Sequence, residues 1–109
     1  MYERGDILTD REQDSEVVVV QLSSDRADEY VVHQRDPAQN RYSEQTVYDF
    51  NSRYEYVSAE DPVVHAVYLD SIRTDIADLT RQERAVLAQN ADVQTYAFPI
   101  SRLVPPDES

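Results

Sequence analysis

The chain has no cysteine. That excludes a disulfide framework, a thiolate metal site and a cysteine nucleophile. It has no lysine either, so all ten basic residues are arginine. Gly5 is the only glycine. Loops that cradle phosphate bring several glycines close to the ligand, so neither a P-loop nor a dinucleotide fingerprint can be written here. No stretch approaches the ~20 apolar residues of a membrane span. The opening residues Met1-Tyr2-Glu3-Arg4-Gly5-Asp6 lack a basic region followed by an apolar one, unlike a signal peptide. A cytoplasmic protein with no membrane contact is expected, and no motif implies a cofactor.

What the chain has in excess is negative charge. It carries 22 acids against 10 bases, a net charge of −12 over 109 residues. Such a surface destabilises the compact state by self-repulsion, which halophiles counter with salt. At ~1 M salt the Debye length is about 3 Å, and the repulsion largely disappears. Short carboxylates hold water and cations, whereas the lysine stem adds apolar surface that salt makes harder to expose. The balance points to adaptation to high salt. An acidic disordered chain is the competing expectation, but the fourteen valines fall in regular runs unlike that class. With eight tyrosines and 40% apolar residues, the composition favours a core built from strands.

The length fits one domain, read as residues 1–104 with a frayed tail at 105–109. Residues 5–9 open as a short strand and 10–16 form a loop. Val17 to Leu22 is the strongest strand, with Val18, Val20 and Leu22 on one face and Val17, Val19 and Gln21 on the other. Ser23 to Asp28 reads as a turn, and Tyr30 to Gln34 as a strand closing a hairpin over 16–34. Residues 35–45 are polar. Thr46 to Phe50 resumes strand character, and Val63 to Leu69 is a long strand. Thr80-Arg81-Gln82-Glu83 matches a capping box and predicts a helix over about 80–90. Val93 to Phe98 is a closing strand, and Arg102 to Val104 adds a last pairing. Val18, Val20, Leu22, Val32, Val67 and Leu69 are the expected core. The fold class is mainly β (α+β): an antiparallel sheet of five or six strands, an SH3-like, partly open barrel with one short helix near 80–90. An open α+β sheet with that helix on one face is the alternative.

Few residues point to chemistry. His33 and His65 lie in valine-rich strands, and two imidazoles alone do not make a zinc site, which takes three or four ligands. Carboxylate pairs such as Asp25 with Asp28 and Glu60 with Asp61 read as solvated surface. No serine sits in a nucleophile elbow. The sequence therefore assigns no catalytic, cofactor or metal residue. One group stands out as a candidate interaction surface: Tyr48, Phe50, Tyr54 and Tyr56, interleaved with Arg53. Such rings stack on bases or partner loops, or close one edge of a core with their hydroxyls in water. Nucleic acid is an unfavourable partner, because binding it needs a cationic footprint.

The lysine-free acidic pattern, with Arg4-Gly5-Asp6-Ile7-Leu8, Asp61-Pro62-Val63-Val64, Tyr96-Ala97-Phe98-Pro99 and Ser101-Arg102-Leu103, resembles small acidic proteins of halophilic archaea. That family has no assigned activity, so the resemblance carries no role to any residue. The Gly-Asp-apolar opening also looks like the first strand of SH3-like barrels. A small non-catalytic interaction or regulatory domain is the leading expectation. A nucleic-acid-associated β-barrel and a carboxylate metal-assisted hydrolase are the alternatives. Two long strands apolar on both faces, without lysine to guard their edges, predict a homodimer, with another protein as the other partner class.

Overall fold

Four consecutive valines, Val17 to Val20, leave a strand no polar face to turn to water, and the fold is arranged around them. The computed structural model describes residues 2–36, 41–72, 76, 78–91 and 93–106. Strand β2 (Ser15–Arg26) pairs antiparallel with β1 (Ile7–Asp10) on one side and β5 (Pro62–Tyr68) on the other. Strands β6 (Tyr96–Pro99) and β7 (Leu103–Val104) complete a sheet of order β6-β5-β2-β1-β7. A 3₁₀ turn, Ile100–Arg102, carries the chain from one edge strand to the other. The sheet is antiparallel throughout and does not close.

Both faces of β2 are covered within the chain. Val17 and Val19 pack with Leu8, Val64, Ala66, Phe98 and Leu103 on one face. Val18 and Val20 face the other way, with Val67, Ile76 and Ala88. Full burial of such a side chain contributes about 1.5–3 kcal/mol. Ala88 comes from helix α2 (Arg81–Asn90), whose capping box at Thr80 and Glu83 is formed as the sequence predicts. Gly5 permits its docking. Gly5 has φ +89, and a Cβ there would lie 1.9 Å from the Arg81 carbonyl oxygen. Arg84 Nε donates to the Gly5 carbonyl at 2.8 Å and fixes the same junction.

Several local expectations change. β2 runs on to Arg26, through residues expected to turn, and no hairpin forms over 16–34. β2 is buried on both faces and takes the equally apolar β5 as its neighbour. Strand β3 (Val31–Asp36) pairs instead with the polar β4 (Arg41–Thr46) in a separate two-stranded ribbon. The strand expected over Thr46 to Phe50 is not formed: Thr46 ends β4, and Val47 onward is helical. Thr46 caps helix α1 (Val47–Asn51) and exchanges hydrogen bonds with Asp49. Of the expected core, Val18, Val20 and Val67 are buried. Leu22 is 39% exposed, because a register shift between Val19 and Gln21 ends the strict alternation. Val32 and Leu69 are half-buried, the latter in a 3₁₀ turn, Leu69–Ser71. His33 lies opposite Glu44 in the ribbon; its side chain is outside the described residues, as is the tail from 107. Among the described residues no helix is long and apolar enough to cross a membrane.

Candidate functional site

Thr46 ends the ribbon and starts α1, so the chain turns back beneath β6. The space between these elements is a groove of about 510 Å³. Its floor is Val47, Phe50 and Asn51 of α1. One wall is Tyr30, Val31 and Val32. The other is Gln94 to Phe98, with His65 and Tyr68 of β5 behind them and Arg102 at one end. The rings meet edge to face: Tyr68 with Tyr96 at 5.3 Å, Tyr68 with Phe98 at 5.9 Å, and Tyr30 with His65 at 5.2 Å. Aromatic pairs prefer such geometry over face-to-face stacking.

The polar end of the groove is a closed network. Asp10 is fully buried. Arg102 donates to it twice, from Nε at 2.8 Å and Nη2 at 3.0 Å. Tyr68 donates its hydroxyl to the same carboxylate at 2.7 Å, and the Glu12 amide donates at 3.0 Å. Arg102 Nη1 donates to Asn51 Oδ1 at 2.9 Å, and Asn51 Nδ2 donates to the Val47 carbonyl at 2.7 Å. Burial alone would raise the Asp10 carboxyl. The Arg102 and Tyr68 hydrogen bonds and the Glu12 amide outweigh it and hold the group below its ordinary value. Burial pushes the Tyr68 hydroxyl well above its ordinary value, and the bond to Asp10 adds to this. A carboxylate this well satisfied is a poor base. The network ties β1, β5, α1 and the turn between β6 and β7 together, and so shapes the groove without offering a reacting group.

His65, among the described residues that line the groove, is shifted too. Burial holds its pKa below the usual imidazole value, against a smaller opposing effect of Asp25. Its recorded contact is the Tyr30 ring. Among the described residues no three His, Asp or Glu side chains gather as metal ligands do.

The five residues singled out from sequence divide between two places. Phe50 lines the groove. Tyr48 packs beside it on the cluster of Ala27, Val47 and Val63. Tyr54 and Tyr56 stack on each other at 5.8 Å and do not line the groove, although Tyr54 lies under Arg102 at 5.7 Å. Arg53 lies over Tyr54 at 4.9 Å, and Arg11 over Tyr56 at 3.8 Å. The Tyr56 hydroxyl bonds Glu12, and burial together with that carboxylate raises its pKa. The sequence reading missed Tyr30, His65, Tyr68, Tyr96, Phe98 and Arg102 as one group. They lie on four segments of chain, and only their shared aromatic character hinted at it.

The groove also differs in charge from the rest of the molecule. Of the fourteen described residues that line it, none is acidic, in a chain where 22 of 109 are. Arg102 is the only formally charged one. Compared with models of protein families, with curated proteins and with solved structures, the chain matches none.

Proposed function

We propose that this is a non-catalytic interaction domain adapted to high salt, which receives a partner in the aromatic groove. The observation that carries this reading is that no carboxylate is among the described residues lining the groove, on a protein of net charge −12. A concave apolar site with a few polar groups is the usual form of a binding surface. Here those polar groups are largely engaged in holding the walls. The hydrolase alternative lacks a carboxylate cluster among the described residues. The nucleic-acid alternative has rings for stacking but little free cation. Every arginine whose side chain is described is engaged within the chain: Arg4, Arg11, Arg26, Arg53, Arg81, Arg84 and Arg102.

A cytoplasmic location and a homodimer belong to the same proposal. The dimer no longer draws on a surplus apolar face, since Val17 to Val20 are buried within the chain; it draws on the open strand edges. Titration of the ¹⁵N-labelled protein with small aromatic and aliphatic fragments, in KCl, tests the reading. Saturable shifts should gather at Thr95 to Phe98, His65 and Phe50. Shifts that gather instead on the outer face of α2 around Val86, or turnover of ester or phosphoester substrates, would remove it.

A further inference from the structure

The groove touches both faces of a single strand pair. Phe98 lies opposite Val64, on the face of Tyr68 and the inner core. Ala97 lies opposite His65, on the other face, because successive strand residues alternate. A concavity lined by Phe98 and Tyr68 as well as by Ala97 and His65 therefore runs along the free edge of β6. Among the described residues that edge has no strand neighbour. Among the described residues, Tyr96, Ala97 and Phe98 make no backbone hydrogen bond outside the ladder to β5. Val31 and Val32 of β3 also line it, and among the described residues β3 lacks a neighbour on one side. Two strands with unpaired edges thus border one channel, with α1 as its floor.

We infer that the occupant is an extended segment of a partner protein, added as a strand along β6, with apolar side chains at alternate positions and at least one carboxylate. This deepens the groove reading and rests on it. Main-chain hydrogen bonds give affinity in strand addition, and pockets for alternate side chains give specificity. One set of side chains meets Tyr68 and Phe98; the other meets His65 and Val32. β6 has four residues, a track of about 14 Å at roughly 3.4 Å per residue. The charge follows from the lining. Among the described residues no carboxylate lines the groove to repel an acidic segment, and Arg102, whose charge is matched by Asp10, gives three N–H groups to Asp10 and Asn51 and keeps two of the five a guanidinium carries.

The test uses the full chain and a bead-bound library of random twelve-residue peptides, in KCl that holds the fold. Selected peptides should alternate apolar residues and contain Asp or Glu. The tightest should slow hydrogen exchange of amides within Tyr96–Phe98 by about tenfold or more, and N-methylation of its alternate amides should weaken it by a similar factor. Thr95 is exposed and lines the groove, so Thr95→Glu should weaken binding about fivefold or more by like-charge repulsion, and Thr95→Arg should not. Peptides that perturb Phe50 and Tyr68 but leave β6 exchange unchanged would overturn strand addition and leave the groove reading standing. Peptides rich in basic residues would overturn the charge assignment. A dimer whose β6 amides are protected without any peptide would replace the partner with a second copy. No selected peptide, or binding outside the groove, would overturn both readings.

Discussion

Strands β2 and β3 both carry runs of valine, and the structure treats them differently. In β2, Val17 to Val20 are all buried, the first three completely. In β3, Val31 is 44% exposed and Val32 half-buried. β2 has a strand on each side and cover on each face, while β3 and β4 pair only with each other. A two-stranded hairpin alone is marginally stable in water. The stability of this protein therefore resides in the five-stranded sheet, and the ribbon is held by its base, where Tyr30, Val32 and Tyr48 pack on Val47 and Val63. The groove lies at the boundary, with one wall from each. One wall, β6, belongs to the sheet, and the other, β3, to the ribbon.

The largest test of this contrast is Asp10→Ala. Leaving the guanidinium of a buried pair without its carboxylate costs about 3–5 kcal/mol, and the whole sheet should weaken with the groove. Urea unfolding measures it; a change within about 0.5 kcal/mol would mean the network is not holding the sheet. The same carboxyl sets a pH dependence. Its pKa is depressed in the folded state, so its contribution is complete above the unfolded value of about 4 and is lost as pH falls through the folded value. Asp10→Asn should flatten that part of the acid limb.

Gly5→Ala should come next, at about 3 kcal/mol, from positive φ and a clash with backbone. Thermal unfolding should fall, and exchange on α2 should rise before that on β1. An unchanged midpoint would show that α2 is not seated on Gly5. Two valine-region truncations sharpen the comparison within one strand. Val18→Ala should lose about 2 kcal/mol by leaving a cavity, whereas Leu22→Ala should lose less than about 1 kcal/mol. Equal losses would restore strict alternation through Leu22.

Thr46→Ala, removing the α1 cap, should have the smallest effect, about 1 kcal/mol. It should appear first as faster amide exchange in α1 and the ribbon, with the β2 and β5 amides unchanged. Exchange that rises uniformly would make sheet and ribbon one cooperative unit. Independently of these variants, the thermal midpoint should climb between about 0.1 and about 3 M KCl as like charges are screened. A flat profile would end the high-salt reading.

The sequence carried the parts of the fold with local chemistry. Val17 to Leu22 and Val63 to Leu69 read as strands, and the structure forms them as β2 and β5, with Leu69 passing into a 3₁₀ turn; Thr80 with Glu83 marked α2. Thr46 and Asp49 form the same kind of cap, but Thr46, Tyr48 and Phe50 also alternate as in a strand, and that period concealed α1. Pairing was the harder part. Val31 follows β2 after a turn, which suggests a hairpin, yet β2 finds β5 some forty residues away. The groove was less accessible still. Asp10 read as the first residue of a loop, and its partner Arg102 is 92 residues distant. No spacing rule joins them. Only the folded sheet does.

That no described residue lining the groove is acidic has a kinetic consequence. In dilute salt, two acidic proteins meet slowly, because each sees the other's net charge long before any groove is in reach. Adding salt removes that long-range barrier, while short contacts inside a partly buried groove are screened much less. Salt should thus raise the association rate of an acidic partner and leave its dissociation rate nearly constant. Encounter, rather than residence, becomes the step that the ionic medium controls.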